Sequence, residues 1–363
     1  MTVRKIATTL RQPRELLAHD FVHADELAGL EAVAARYAIA ITPHLAELIE
    51  PADPSDPIRR QFIPSVDELR AIPGESADPI GDGAHSPLEG VVHRYPDRVL
   101  LKLVHVCAVY CRFCFRREMV GPGKPGTLAP QDYRAAVDYI RQHPEIWEVI
   151  LTGGDPLMLS PRRLSEVMHD LAAIDHVKII RIHTRLPVAA PERIDQDMVA
   201  ALKAPGATTW VALHANHVRE LTPGARAACA ALIDAGIPMV SQSVLLRGVN
   251  DNRAALEALM RAFVENRIKP YYLHHGDLAP GTAHLRTTLA EGQELMRSLR
   301  GVVSGLCQPD YVLDIPGGFG KAPVGPVQLL PEDSLSRESE RPGGPRYRVI
   351  DYCGDVHVYP PDR

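Results

Sequence analysis

The chain is poor in aromatic residues, which make up 5% of its 363 positions. It also lacks any run near the ~18 uninterrupted apolar residues of a membrane span, so no membrane partner is expected. The N-terminal stretch Met1–Leu10 carries positive charge but no apolar h-region, and it does not read as a secretory leader. Charge of one sign is not in excess: 40 Lys and Arg stand against 45 Asp and Glu, a formal net charge of -5. That balance gives no reason to expect nucleic acid as a partner. The cytoplasm is therefore the expected location, and the six cysteines must be explained without structural disulfides. Hydrophobic residues at 45% and charged residues at 23% are ordinary for a globular chain. Proline is abundant: its 32 residues exceed the typical ~5% share and imply long loops and rigid connections.

The order of the chain is informative from residue 99 onward. Six apolar, strand-like runs occur at Val99–Val106, Trp147–Leu151, Lys178–His183, Thr208–His214, Pro238–Leu245 and Pro270–His274. Helical patterns follow them at Pro130–Gln142, Pro161–Ala173, Asp195–Lys203, Pro223–Ala235, Asn252–Asn266 and Thr288–Arg300. Alternation of this kind implies an α/β fold with a parallel sheet covered by helices. Six units are too few for a closed eight-unit barrel, so a partial, open TIM-like barrel of about six βα units is expected, with a doubly wound sheet as the competing topology. The expected division is an N-terminal helical and loop arm (1–92), the barrel (93–300), and a C-terminal segment with short strands (301–363). Asp25–Ala38 is the clearest helix of the arm. In either topology the strands' C-terminal ends gather the active site. The polar residues sit there: Thr152-Gly-Gly-Asp155, His183 and Arg185, His214 and His217, His274-His275-Gly-Asp277.

Cys107-Ala-Val-Tyr-Cys111-Arg-Phe-Cys114 follows the first strand. Thiolates suit iron–sulfur clusters and zinc. Structural zinc wants four ligands, and here the local fourth is missing. A [4Fe–4S] cluster that keeps one iron open to a ligand needs three. Zinc and three merely packed thiols remain the other readings. Further on, Gly317, Gly318 and Gly320 allow close backbone approach just before Lys321, in a loop bounded by Pro316 and Pro323. A glycine-rich loop with a lysine reads either as a phosphate-binding turn or as a Schiff-base site for an aldehyde cofactor.

Taken together these motifs resemble the radical S-adenosylmethionine superfamily, and within it the lysine 2,3-aminomutase family. The likeness runs from about Asp78 to Tyr359. It is carried by the cysteine motif, Thr152–Asp155, His93-Arg-Tyr-Pro-Asp-Arg98, Arg181-Ile-His-Thr-Arg-Leu-Pro187, Ser241–Asp251, Pro270-Tyr-Tyr-Leu and, most specifically, Asp314-Ile-Pro-Gly-Gly-Phe-Gly-Lys321-Ala-Pro-Val324. The resemblance implies that Cys107, Cys111 and Cys114 hold a [4Fe–4S] cluster and that Gly153, Gly154 and Asp155 contact S-adenosylmethionine. It implies that Lys321 carries pyridoxal 5′-phosphate, with Arg94 and Tyr95 beside it and Arg98 as a further candidate. Arg116 would hold the substrate carboxylate, and Asp277 and Asp314 the side-chain ammonium of L-lysine. The implied activity is the isomerisation of L-lysine to β-lysine by 1,2-amino migration, in a homo-oligomer served by an electron donor such as flavodoxin or ferredoxin. Alternatives are a β-lysine-forming enzyme for elongation factor P modification and a mutase for glutamate or arginine. Relatives with a structural zinc take one ligand where Asn252 stands and others from a C-terminal cysteine cluster. Asn252 and the isolated Cys353 imply no zinc here and a different or weaker subunit contact. Cys229, Cys307 and Cys353 read as structural thiols.

Overall fold

Runs of Val, Ile and Leu that are apolar on both sides can only be buried in the middle layer of an α/β fold, and the computed structural model has them there. It describes residues 6–121, 123, 126–331, 347–351 and 353–359. The first five residues of the N-terminal stretch and parts of the 301–363 segment lie outside the described residues.

Strand β1 (Val91–Tyr95) pairs antiparallel with β2 (Arg98–Val104). The chain then adds β3 (Glu148–Gly153), β4 (Ile179–Thr184), β5 (Thr208–His214), β6 (Met239–Val244), β7 (Ile268–His274) and β8 (Asp310–Ile315), each parallel to the one before. Strand β9 (Gly320–Pro323) returns antiparallel along β8. The nine strands lie side by side in chain order. A doubly wound sheet would reverse that order part-way. This one does not, and it curls into a nearly closed partial barrel.

Helices Pro130–Gln142, Pro161–Ala172, Gln196–Ala201, Pro223–Asp234, Arg253–Glu265 and Leu289–Leu299 follow β2 to β7. Ser160, Asp195, Thr222, Asn252 and Thr288 cap the last five, each side-chain oxygen accepting a first-turn N–H. The core lies between the layers, with Leu101, Leu151, Ile182 and Leu213 of the strands against Ile140, Leu171, Leu232 and Leu259 of the helices. All six expected strand–helix units are present, but the sheet continues beyond them. Strand β8 is a seventh parallel strand without a following helix. Its sequence, Asp-Tyr-Val-Leu-Asp-Ile, carries two aspartates in six residues and so does not stand out as a buried run.

The arm packs a second apolar cluster from Leu16, Leu30, Ile41, Leu45 and Phe62, which reaches Val109 inside the cysteine loop. A separate three-stranded antiparallel sheet follows β9, formed by β10 (Leu329–Pro331), β11 (Tyr347–Ile350) and β12 (Val356–Tyr359). Among the described residues no helix is long and apolar enough to cross a membrane.

Candidate active site

The cysteine loop leaves the C-terminal end of β2 with no regular structure of its own, so its shape must come from what it touches. The arm supplies that. Tyr110 N–H donates to the Ala40 carbonyl (3.1 Å) and Arg112 N–H to the Gln61 carbonyl (2.8 Å). The Arg112 side chain, 1% exposed, turns inward to Glu68 (Nε–Oε1 2.9 Å) and to the Ala38 carbonyl (2.8 Å). Arg117 completes the cluster by pairing with the same Glu68 and donating to the Gly281 carbonyl (2.9 Å). Burial alone would raise the Glu68 carboxyl, but the two guanidiniums hold it below its ordinary range. Held this way, Cys107, Cys111 and Cys114 all face one cavity. Burial raises all three thiols, Cys111 to about 11, and Arg185 opposes the rise at Cys111 from 3.6 Å (Nη1···Sγ).

The turn after β3 lies directly against this loop. Gly154 N–H donates to the Val104 carbonyl (2.5 Å) and Asp155 N–H to the Val106 carbonyl (2.9 Å). A Cβ on Gly154 would stand 2.2 Å from the Val106 oxygen, and one on Gly153, whose φ is +117°, 2.4 Å from the Val104 oxygen. Glycine is required for that approach. Those N–H groups are engaged within the protein, and Gly153 and Gly154 line the cavity. The Asp155 carboxylate is used within the protein: it accepts from the Thr184 hydroxyl (2.7 and 2.9 Å), Arg185 N–H (2.8 Å) and Leu157 N–H (3.0 Å). It therefore ties the end of β3 to the end of β4 and places Arg185. The Arg185 guanidinium is buried on Glu220 and on Gln61 of the arm (2.7 Å).

Across the cavity, the β8–β9 hairpin puts Asp314 opposite Lys321. The Lys321 ammonium donates to Asp314 Oδ1 at 2.6 Å, and His274 Nδ1 stands 3.5 Å from Oδ2. Burial would raise the Asp314 carboxyl, but the His274 contact and the Lys321 charge hold it well below its ordinary range. Asp277 is in the opposite state. Burial and the neighbouring Asp314 charge push it up to about 7, with Lys321 and Arg116 opposing. The Lys321 backbone N–H donates to the Tyr95 hydroxyl (2.7 Å), and the Arg98 guanidinium lies over the Tyr95 ring at 3.9 Å. Tyr95 thus supports the backbone of β9.

Arg94 and Arg116 meet on a residue that the sequence reading did not single out. Asp82, 2% exposed, accepts from Arg94 through Oδ1 (3.1 Å) and from Arg116 through Oδ2 (2.9 Å). Arg94 also donates to the Ile80 carbonyl (2.8 Å), and Arg116 to the Thr152 hydroxyl (3.3 Å). Between Ile80 and Asp82, Gly81 packs so tightly on Gly317 and Gly318 that a Cβ there would lie 2.3 Å from the Gly318 nitrogen.

One cavity of about 730 Å³ is lined by Cys107, Cys111, Cys114, Gly153, Gly154, Asp155, Arg94, Tyr95, Arg98, Arg116, Asp277, Asp314 and Lys321. The structure thus brings every residue to which the resemblance gave a cofactor or substrate role to one chamber, together with His183, Arg185, His214 and His274. Asp82 lies behind its wall. His217 and His275 do not line it. The donor sets fit the implied groups. Three thiols on one wall suit separate irons of a cluster; among the described residues no three His, Cys, Asp or Glu side chains share a single metal site. An amine in one cavity with the guanidiniums of Arg94 and Arg116 suits an aldehyde that carries a phosphate. Buried nitrogens without a partner among the described residues, Nε of Arg94 and Arg116 and Nε2 of His183 and His214, leave hydrogen-bonding capacity for ligands.

The radical SAM superfamily model matches residues 101–259. The chain is 42% identical over 292 residues, 80% of its own length and 70% of the relative's, to the L-lysine 2,3-aminomutase of Clostridium subterminale. It is 36% identical to the L-lysine 2,3-aminomutase of Escherichia coli, covering 88% of this chain and 93% of that one. It is 33% identical to the glutamate 2,3-aminomutase of Clostridioides difficile, over 91% of this chain and 74% of that one.

Proposed function

The chain belongs to the lysine 2,3-aminomutase family of the radical SAM superfamily and is an isomerase of that type, and from this premise we propose that its substrate is L-lysine, converted to β-lysine with pyridoxal 5′-phosphate as the third cofactor. When bound, a reduced [4Fe–4S] cluster with S-adenosylmethionine supplies a carbon radical able to take hydrogen from an unactivated carbon, and pyridoxal phosphate supplies a π-system through which the amino nitrogen shifts.

The chain's own residues then have separable tasks. Cys107, Cys111 and Cys114 hold the cluster, with Arg185 beside Cys111. The Gly153–Gly154 turn would receive the methionine end of S-adenosylmethionine. Lys321 anchors the aldehyde cofactor, and Arg94 neutralises its phosphate. Arg116, fixed by Asp82, holds the substrate carboxylate in a planar two-point contact. Asp277 and Asp314 receive the far ammonium of lysine. Val92, Ile150, Ala212 and Val312 supply apolar wall between these groups and limit water around a reactive carbon.

The observation that carries the choice of lysine is the pair Asp277 and Asp314 in a cavity that also holds Lys321 and Arg116. A substrate with a second ammonium completes that pair. The side-chain carboxylate of glutamate would face two acids, and such a mismatch favours lysine by several orders of ten in kcat/KM once desolvated. The test is anaerobic reconstitution with iron and sulfide, addition of pyridoxal phosphate, S-adenosylmethionine and a reductant, and parallel assays with L-lysine, L-arginine and L-glutamate. Formation of β-lysine is the expected result. Turnover of L-glutamate with none of L-lysine would overturn the assignment.

A further inference from the structure

The hairpin that carries Lys321 also carries its partner, and this has a consequence for the substrate site. Asp314 is 6% exposed, and both of its carboxylate oxygens are already engaged: Oδ1 by the Lys321 ammonium at 2.6 Å, Oδ2 by His274 at 3.5 Å. The carboxyl of Asp277 accepts no hydrogen bond among the described residues; only its backbone carbonyl is used, by Thr282 and Arg286. An amine-receiving pair is therefore present with one member occupied. Its occupant is a primary ammonium on an alkyl chain, the same chemical group that a lysine side chain would bring. Two ammoniums cannot use Asp314 together without repelling each other at contact distance.

We propose that Lys321 masks the substrate's ammonium site in the cofactor-free protein, so that the Asp277–Asp314 pair opens to an alkyl ammonium only when Lys321 is drawn away. This rests on the lysine reading given above and adds an order to it. Engagement of Lys321 by an aldehyde cofactor removes the occupant, and a diamine then binds to both carboxylates. By linkage the effect is reciprocal: a diamine on Asp314 frees the Lys321 amine for the cofactor. The cofactor-free protein is thereby kept from holding its substrate unproductively.

The experiment is equilibrium binding by calorimetry to the full-length, cluster-reconstituted, pyridoxal-phosphate-free protein. The probes are L-lysine and 1,5-diaminopentane, the latter lacking the α-carboxylate that Arg116 would hold. Lys321→Met removes the occupant and should bind both probes at least tenfold more tightly than wild type. Lys321→Arg keeps a cation opposite Asp314 and should stay near the wild-type affinity, although it too cannot bond to the cofactor. Adding Asp314→Asn to Lys321→Met should abolish the gain. Equal affinities in wild type and Lys321→Met, or an equal gain in Lys321→Arg, would overturn the masking. The two readings fail separately. Turnover of L-glutamate in place of L-lysine by the loaded enzyme removes the substrate reading. Unchanged diamine affinity in Lys321→Met, alongside turnover of L-lysine by the loaded wild type, removes only the masking.

Discussion

Asp82 holds Arg116 through a 2.9 Å contact between Oδ2 and Nη2, across 34 residues of chain. The other oxygen of that carboxylate holds Arg94, so one buried acid sets the position of both guanidiniums offered to anions. Asp82→Asn leaves two buried cations short of charge. A change of this kind costs about 3–5 kcal/mol of stability. In protein that still folds, KM for the amino acid and the dissociation constant for pyridoxal phosphate should both rise about tenfold or more, while the iron content after reconstitution is unchanged. Steady-state kinetics and iron analysis check this, and an unaltered KM would count against it.

Cysteine substitutions separate two kinds of thiol. Cys107→Ala, Cys111→Ala and Cys114→Ala should each lose the visible absorbance and most of the iron of the reconstituted protein. Cys229, fully buried with its thiol raised by burial to about 12, and the buried Cys307 pack in the apolar core. Their serine variants should keep the absorbance and lose only stability, by about 1–3 kcal/mol for an added buried hydroxyl. Retained iron in any one of the first three variants would exclude that residue as a ligand.

Gly154→Ala tests the approach of the β3 turn to the cysteine loop. Its Cβ would meet the Val106 oxygen at 2.2 Å, backbone against backbone, so the loop itself must move. Reductive cleavage of S-adenosylmethionine should fall by about two orders of magnitude or more, since displacements of about 1 Å in a positioned site can cost that much. Measurement of 5′-deoxyadenosine formation decides it. A rate within twofold of wild type would mean that the turn does not position S-adenosylmethionine.

Much of this architecture is written in local pattern, and the parts that are not have a common cause. The strand–helix units show because each strand is a short, mostly apolar run and five of their helices begin on a capping side chain. The cysteine motif, the Gly153–Gly154 turn and Lys321 show because their spacing is short. Asp82 does not: it is one of several acids in a stretch broken by Pro and Gly, and its partners lie 12 and 34 residues away. Glu68 with Arg112 and Arg117, and Gln61 with Arg185 and Glu220, span 35 to 159 residues. Their function is to press the arm onto the cysteine loop, and no local signal records a contact between residues so far apart. The Asp155 carboxylate shows the opposite limit. The motif marks the residue, but only the structure shows that its oxygens are consumed in joining two strands.

The acidity of Asp277 predicts a pH dependence. Its carboxyl is raised to about 7 by burial and by Asp314. A substrate ammonium needs the charged form, so the affinity of the unreduced, pyridoxal-phosphate-loaded enzyme for L-lysine should fall as pH drops through about 7, approaching tenfold per pH unit. Asp314, held well below its ordinary range, stays charged throughout and adds no slope there. Folding runs the other way for Asp277: its neutral form favours the native state, so this contribution is complete below the unfolded value near ~3.9 and is lost as pH rises through about 7. Asp277→Asn should flatten the binding profile and weaken L-lysine at high pH. A profile with the wild-type slope in that variant would place the titration elsewhere.

The short hairpin between β8 and β9 makes the chemistry depend on counting. Side chains on a strand alternate faces, so inward or outward is a matter of odd or even. Ile315 stands opposite Gly320 and Asp314 opposite Lys321, with four residues closing the bend. One residue more or fewer in Pro316–Phe319 would invert that parity and turn the amine toward the outside of the barrel while leaving the apolar layers untouched. A chain altered in this way would fold and still lack its reactive nitrogen, which makes the length of that bend as much a part of the catalytic apparatus as the lysine.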